Sequence, residues 1–327
     1  MRAYIIRRLL LIIPTLFLVS LIVFFMVRLI PGGIVDLIAA QYTGFGGNVD
    51  KDAIARELGL DVPIHVQYGR WMGFTPQADG SFGGILQGDL GDSLWRGTPV
   101  IDDIIPRWPV TLELALLAVV IAQIIALPIG VYSALRQDSW GDYIGRSFAI
   151  LCIAVPGFWL GTLIIVFPSI WWGYMPPIKL IPFTGDPIGN LKMFIIPAVV
   201  LGMAMAGVTM RMTRTMMLEV LRQDYIRTAW AKGLRERVVV VGHALKNALI
   251  PVVTILGINL GVVIGGTVII EQIFCLPGMG RLLFESVGLR DYTVVSGVVL
   301  CFGVAMVLVN LLVDITYAYL DPRIHYK

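Results

Sequence analysis

The residues that could carry out chemistry are few in this chain, and they are widely separated. The sequence contains no Gly-x4-Gly-Lys-Ser/Thr phosphate-binding loop, so ATP binding by this chain itself is not expected. The three cysteines show no metal-ligand spacing. The three histidines lack the His-Glu-x-x-His pattern of a zinc site: His65, His243 and His325. We therefore expect no catalytic residue, no bound cofactor and no metal in this chain.

Five polar side chains lie within or beside long apolar runs and are candidates for contact with a transported solute. Charge at membrane depth is costly and often functional, although a charge near a helix end can reach the headgroups or make packing hydrogen bonds. Neutral amides can also join one helix to another. An intramembrane protease would need a nucleophile with a base, or two carboxylates, and we find no such pair. The candidate translocation-path residues are Glu113, Gln123, Asn259, Glu271 and Asp314.

The most distinctive polar stretch runs from Gln223 to Pro251 and separates two apolar runs. Residues 226–232 are compatible with a helix, and Gly233 follows as a helix stop because glycine readily adopts a left-handed C-cap conformation. Small residues let another backbone approach closely, and the cations could bind a partner protein. The alternative is an ordinary basic loop on the cytoplasmic side of a membrane.

The composition is typical of a membrane protein, because 57% of the 327 residues are hydrophobic and only 14% are charged. An ordinary soluble domain has about 25% charged residues. A helix needs about 20 mostly apolar residues to cross a bilayer, and only helices satisfy the backbone within such a segment. Six runs meet this requirement: Leu9–Ile30, Val110–Leu135, Ile144–Phe167, Met193–Met212, Ala248–Ile270 and Thr293–Tyr317.

The distribution of cations predicts the orientation of these six spans. If the N-terminus is cytoplasmic, 15 of the 25 Lys and Arg residues fall on that side. The positive-inside rule then places both termini in the cytoplasm. A net charge of +3, spread over the loops, does not suggest nucleic acid as a partner.

The long segment between the first two spans, residues 31–109, is expected to form a small outer subdomain. Residues 51–60 predict a short helix that Gly59 ends. The stretch from Gly73 to Gly84, which includes Asp79-Gly80, predicts turns. The segment is too polar and glycine-rich to be an enzyme of its own.

The residues of the polar stretch resemble a known pattern. Tyr225–Leu234 together with His243–Pro251 is similar to the signature loop of ABC importer permeases of the dipeptide/oligopeptide (and nickel) branch. Further short motifs of that branch occur in order along nearly the whole chain, and together they are specific. They are Leu58–Asp61 with Gln67-Tyr68, Gly88–Gly91 with Ser93, Glu271–Phe274 with Pro277–Gly280, Arg290–Tyr292, and Asp321–Arg323.

The resemblance implies an all-α, polytopic membrane protein with six transmembrane helices and the architecture of a type I ABC importer permease. A small extracytoplasmic subdomain would follow the first helix. The implied organisation is a cytoplasmic tail with the first helix at 1–30, the outer subdomain at 31–109, a five-helix core at 110–317 with a cytoplasmic coupling loop at 213–247, and a cytoplasmic tail at 318–327.

The same resemblance implies the partners of the chain in a cell membrane. These would be a second, homologous permease, two ATP-binding cassette subunits that bind ATP and Mg²⁺, and an extracytoplasmic solute-binding protein. The coupling loop would dock on one ATPase and transmit its closure as a shift of packed helices. The implied ATPase-coupling residues are Asp224, Arg227, Ala229, Lys232, Gly233 and Leu234.

The branch implies that the cargo is a short peptide, while nickel complexes, glutathione-like compounds and oligosaccharides stay open because fold does not fix cargo. A secondary transporter driven by an ion gradient is the alternative from another class. It would predict internal repeats and broken helices at the bilayer midplane. The sequence shows no convincing repeat, and its charges sit at the ends of the spans.

Overall fold

The computed structural model describes residues 2–28, 35–36, 39, 50–57, 59–77, 79–173, 177 and 179–320. Apart from one β-bridge between Asp92 and Pro99, these residues hold no strand pairing. A 3₁₀-helix covers Ile85–Gln87 and a π-helix covers Val238–Leu245. The α-helices are α1 (Arg2–Arg28), α2 (Lys51–Glu57), α3 (Ile64–Met72), α4 (Val100–Leu135), α5 (Trp140–Ala154), α6 (Gly157–Trp172), α7 (Pro187–Leu221), α8 (Asp224–Ala231), α9 (Lys246–Ile273), α10 (Met279–Leu289) and α11 (Tyr292–Leu320).

The helices are long and apolar enough for a polytopic membrane protein. Five of the described helices could cross a bilayer by length and composition, and the pair α5 and α6 gives a sixth span if it counts as one. The all-α fold and the number of spans agree with the sequence prediction. Several helices are longer than the apolar runs, because α4 starts ten residues before Val110 and α7 ends nine residues after Met212.

The predicted third span, 144–167, is two helices rather than one. Helices α5 and α6 meet at an angle of 93°. Pro156 lies at the break, and Val155 before it is extended, with φ −82° and ψ 120°. Proline has no N–H to donate and disfavours a helical conformation in the preceding residue, which explains the break.

One compact unit of the chain comprises 1–10, 108–281 and 305–327. Its centre is α7, which packs closely on α4 and α5 through glycines. A Cβ on Gly202 would meet the backbone of Ala118 on α4, and a Cβ on Gly207 would meet Ala149 on α5. Small residues allow such approach in membrane proteins, where van der Waals packing replaces the hydrophobic drive.

The other compact unit comprises 11–107 and 282–304. In it α3 lies against α1, where Tyr68 shares a 2.8 Å hydrogen bond with Ser20 and packs edge-on against Phe24. Arg28 places its guanidinium 3.5 Å from the centre of the Phe24 ring and donates to Gln67. The motif residues at 67–68 therefore hold to the first helix the segment between the first two predicted spans, which we name the outer segment after its predicted location.

The outer segment contains the predicted short helix. Helix α2 ends as expected, because Gly59 adopts φ +64° and its N–H donates to Arg56. The turns predicted between 73 and 84 belong to a longer loop that two glutamines hold together. Gln77 donates to the carbonyls of residues 70 and 83, and Gln87 donates to the carbonyl of Gly73.

The beginning of α11 is tied to the outer segment by one buried carboxylate. Asp291, which is 2% exposed, accepts a 2.5 Å hydrogen bond from the Ser93 hydroxyl and also accepts from the N–H of Val294. It is thus the N-cap of α11 and the partner of Ser93 at once. Two of the short motifs, at 88–93 and at 290–292, meet here.

Candidate functional site

The first candidate site is the short helix α8, which follows α7 after only Arg222 and Gln223. Lys232 is its C-cap, and Gly233 has φ +75° with its N–H donating to the carbonyl of Trp230. The N–H of Leu234 reaches back to Ala229 at 3.4 Å. This is the glycine-terminated helix that the sequence predicts, ended by a left-handed residue.

The two faces of α8 differ in kind. Ile226 and Ala229 are 0% and 7% exposed and belong to an apolar cluster with Met217 of α7. The small size of Ala229 therefore serves packing within this chain. The rest of the helix and the turn that follows it are exposed and carry the remaining predicted coupling residues and two aromatic rings: Asp224, Tyr225, Arg227, Trp230, Lys232, Gly233 and Leu234.

The region predicted as a cytoplasmic coupling loop, 213–247, is almost entirely helical. The π-helix buries Val239, Val240 and Ala244 in the same cluster as α8. The amide of Asn247 donates 3.0 Å to the Tyr225 hydroxyl, so the start of α9 also contacts α8. A π-helix is rare and often lies at a functional site. Helix α8 thus packs against the rest of this chain through its buried residues, and the remainder of its surface is exposed.

A buried ion pair lies close to this segment. Arg214 of α7 donates two hydrogen bonds of 2.7 Å to the carboxylate of Asp142 at the start of α5. Asp142 is 0% exposed and also accepts from the backbone N–H of Asp138. Ser139 caps α5, so a Ser-x-x-Asp capping pattern positions the carboxylate. The fork of two charge-assisted bonds fixes the relative orientation of α5 and α7.

The second candidate site is an apolar cleft of about 380 Å³ between the α5–α6 bend, α7 and α9. This volume suits a small solute, and sites of this size usually combine apolar walls with few polar groups. Asn259 is the polar side chain in the lining. Its amide nitrogen is buried and has no acceptor in the part of the chain that the structure describes. The lining residues used below are Val155, Gly157, Ala204, Met205, Asn259 and Val263.

Gln123 does not line the cleft, but it contacts a residue that does. Its amide donates to the sulfur of Met205 at 3.7 Å, and Met205 is a lining residue. The carbonyl oxygen of Gln123 is buried and has no donor among the described residues. The structure therefore places one of the five path candidates, Asn259, in the cleft and joins a second, Gln123, to the lining residue Met205.

Glu271 has a different environment. It is 0% exposed, accepts from the Thr111 hydroxyl at 2.7 Å and accepts from the backbone N–H of Arg281 at 3.0 Å. A Cβ on Gly278 would meet this carboxylate, and one on Gly280 would meet the backbone of Val268. The carboxylate thus caps the start of α10, and the two glycines of the Pro-Gly-Met-Gly motif make room for it.

Neither of the two other path candidates is among the described residues that line the cleft. Glu113 is half-buried on α4, where its side chain interacts with Asn190 of α7. Asp314 lies in α11, and its side chain lies outside the described residues. The sequence reasoning did not single out Thr111, Asp142 or Arg214. The capping pattern from Ser139 was the available signal for Asp142, whereas Thr111 and Arg214 gave none.

Two family models cover most of this chain. Residues 126–326 match the model described as the binding-protein-dependent transport system inner membrane component. Residues 1–115 match the N-terminal model of the membrane components of such systems. Both candidate sites lie in the region of the first model.

Curated relatives match over the whole length. A putative peptide transport system permease protein of Brucella suis biovar 1 (strain 1330) is 41% identical over 327 residues, which is 100% of both chains. The glutathione transport system permease protein GsiC of Salmonella typhimurium (strain LT2) is 38% identical over 327 residues, with 99% of each chain covered.

Among solved structures, a chain of the MetNI methionine ABC transporter has a similar fold. The TM-score is 0.54 at 17% identity, and the match covers 67% of this chain and 96% of that chain. At this identity the likeness concerns the fold alone, and it supports the permease architecture predicted from the sequence.

Proposed function

This chain belongs to the family of inner membrane components of binding-protein-dependent transport systems, and we propose that it forms half of the translocation path of an ATP-driven importer of short peptides. As a permease subunit it is a membrane transporter component rather than an enzyme. The relatives named for peptide and glutathione transport support a peptidic cargo, since both are aligned along their full length.

The single observation that carries the coupling role is the two-faced geometry of α8. Ile226 and Ala229 anchor α8 in the chain, and the remaining surface of the helix is exposed, with cations and two aromatic rings. Arg, Tyr and Trp are enriched where proteins bind one another, because they offer large, rigid contact areas. An ATPase that gripped this face would move α7 as well, since only two residues separate the helices.

The cleft supports a path for a solute with apolar parts. Its walls come from four helices, α5, α6, α7 and α9, and the Asn259 amide offers one donor to a carbonyl oxygen. In this proposal Gln123 and Asn259 border the path, Glu271 positions α10, and Glu113 and Asp314 stay as further candidates.

The proposed assembly contains this permease, a second homologous permease, two ATPases and an extracytoplasmic solute-binding protein. ATP and Mg²⁺ bind the ATPases, and the solute-binding protein delivers the peptide. Both termini of this chain and α8 are placed in the cytoplasm, which follows from the excess of cations in those segments.

The test is uptake of a labelled dipeptide into proteoliposomes that contain the complete complex. We expect uptake only when ATP, the ATPases and the solute-binding protein are all present. Uptake driven by a proton or sodium gradient without ATP would overturn the proposal in favour of a secondary transporter.

A variant that fills the cleft tests the path itself. Ala204→Phe should narrow the cleft and reduce peptide uptake while the complex still assembles and hydrolyses ATP. Leu116→Phe is the matched control, because Leu116 is 63% exposed on α4 and does not line the cleft. Equal uptake by both variants would remove the cleft from the path.

A further inference from the structure

We propose that the ion pair between Asp142 and Arg214 is the link through which movement of α8 reaches the α5–α6 bend and the cleft. The two residues act as positioning residues, because neither lines the cleft. The proposal rests on the proposed function, since it concerns how ATP-driven movement passes through this chain.

The first step is the connection of α8 to Arg214. Helix α8 is separated from α7 by Arg222 and Gln223 only, and Arg214 lies about two turns before α7 ends at Leu221. Met217, between Arg214 and that end, is 0% exposed and packs in one cluster with Ile226 of α8. A force on α8 therefore acts on the end of α7 that carries Arg214.

The second step is the pair of hydrogen bonds that joins Arg214 of α7 to Asp142 of α5. Both guanidinium bonds to Asp142 measure 2.7 Å, and the carboxylate is fully buried. If the helices slid apart here, the carboxylate would be left buried without its cation, which is strongly unfavourable. The planar fork also resists rotation, because two parallel bonds fix an orientation that one bond would not. The cytoplasmic ends of α5 and α7 must therefore move together.

The third step leads from α5 to the cleft. Helix α5 is a single rigid element of 15 residues that ends at Ala154, and the break at Val155 and Pro156 follows directly. Val155 and Gly157 line the cleft. A displacement of the start of α5 thus moves the residues of the cleft wall. The break in backbone hydrogen bonding at this point allows the angle between α5 and α6 to change.

The carboxylate of Asp142 also accepts a hydrogen bond from the turn before α5. Its carboxylate accepts from the N–H of Asp138, which adopts φ +60°, in the short turn that joins α4 to α5. The pair therefore joins three helices, α4, α5 and α7, at one point. Coupling between distant sites needs such a contiguous element, and changes along it typically alter the coupling several-fold.

The experiment compares variants in the reconstituted complex and measures peptide uptake and ATP hydrolysis in the same vesicles. The central variant is the double change Asp142→Asn with Arg214→Gln, which removes both charges and leaves two amides that can share one hydrogen bond. Removing one partner of a buried pair leaves the other charge uncompensated, so the double change should cost less stability than either single change to a neutral residue. We expect normal assembly, ATP hydrolysis within about twofold, and at least about fivefold less uptake per ATP.

Two further variants separate coupling from folding. Arg214→Lys keeps the charge but loses the fork, so it should lie between the wild type and the double variant in uptake per ATP. Arg211→Gln is the matched control, since this exposed cation lies on the same helix, three residues before Arg214. It should leave uptake per ATP unchanged.

The outcomes are distinct from those that test the function itself. If the wild-type complex shows no ATP-dependent uptake, the proposed function fails before the ion pair is considered. If the wild type transports and the double variant keeps its uptake per ATP, the link is overturned. A parallel loss of uptake, ATP hydrolysis and assembled complex in both Arg214→Lys and the double variant would assign the pair a purely structural role and would also overturn it.

Discussion

At the scale of single residues, Gly233 is the position where backbone conformation and exposure coincide. It has φ +75°, and a Cβ added there would lie more than 4 Å from every described residue other than its two chain neighbours. Only glycine adopts this conformation without strain, apart from residues such as Asn and Asp that tolerate it better than others. The glycine therefore leaves open space beside α8 for a partner.

We predict that Gly233→Asp abolishes peptide uptake and leaves membrane insertion and protein level intact, because a charged side chain would occupy the space that an ATPase must approach. The measurement is uptake by intact cells together with the amount of protein in the membrane. Gly80→Asp introduces the same charge at an exposed glycine with φ +81° whose Cβ would also face open space, outside the predicted coupling loop, and it should retain uptake. Normal uptake by Gly233→Asp at normal level would contradict the coupling role.

Gly280 is constrained by this chain rather than by a partner. A Cβ there would collide with the backbone of Val268, which cannot move aside as a side chain could. We predict that Gly280→Ala destabilises the detergent-purified protein by about 1–3 kcal/mol, the usual cost of overpacking. Thermal unfolding measures this, and Gly265→Ala on α9, where a Cβ meets nothing within 4 Å, should cost far less. Equal melting temperatures for the two variants would refute the close packing.

At the scale of elements, buried carboxylates set the starts of helices that follow tight turns. Asp291 caps α11, Glu271 caps α10, and Asp142 lies in the first turn of α5. Each of them also bonds a group far away in the sequence, so the same side chain ends a turn and ties two segments together. Charge placed at a helix N-terminus is favourable because of the free N–H groups and the helix dipole.

We predict that Asp291→Ala loosens the outer segment by leaving the Ser93 hydroxyl without its partner and α11 without its cap. The loss of a cap alone costs about 1 kcal/mol. Limited proteolysis between residues 88 and 99 should become faster in the variant. Asp102→Ala removes an exposed acid from the first turn of α4 and should leave the proteolysis rate unchanged. Equal cleavage rates for Asp291→Ala and the wild type would show that the hydrogen bond between Ser93 and Asp291 does not hold this segment in place.

The break between α5 and α6 shows why a run of apolar residues does not define a helix. The hydropathy of 144–167 is continuous, and proline is common in membrane helices, so the sequence alone allows a kink or a full break. The angle of 93° depends on what packs against both halves. The same holds for the π-helix, since the four valines at 238–241 fit an ordinary apolar helix equally well.

At the scale of the whole molecule, the topology can be tested with a cysteine that the protein already has. Cys275 is exposed in the turn after α9, whereas Cys152 is buried and Cys301 is half-buried in α11. With both termini in the cytoplasm, this turn lies on the outer side.

We predict that a membrane-impermeant maleimide labels Cys275 in cells whose plasma membrane is intact, and that Cys275→Ser abolishes the labelling. Cys152→Ser is the control that should keep it. Labelling that requires permeabilisation of the plasma membrane would place the turn in the cytoplasm and reverse the orientation of all spans.

Much of the fold could be predicted from the sequence, because the backbone N–H and C=O groups of each span must form hydrogen bonds within that span when lipid surrounds it. That requirement is local, and it identifies the apolar runs, the all-α class and the short glycine-terminated helices at 51–59 and 224–233. The order of short motifs along the chain indicated the family. These features need no knowledge of which helix packs on which.

Only the tertiary structure decided which polar residues act together. Asn259 lines the cleft and Gln123 bonds the lining residue Met205, although the two candidates are 136 positions apart, while Glu271 bonds Thr111 and the start of α10. Likewise the pairing of Asp142 with Arg214 joins residues 72 positions apart. Such contacts depend on how close the glycines of α7 allow its neighbours to come, and that distance is a property of packed surfaces rather than of any one segment.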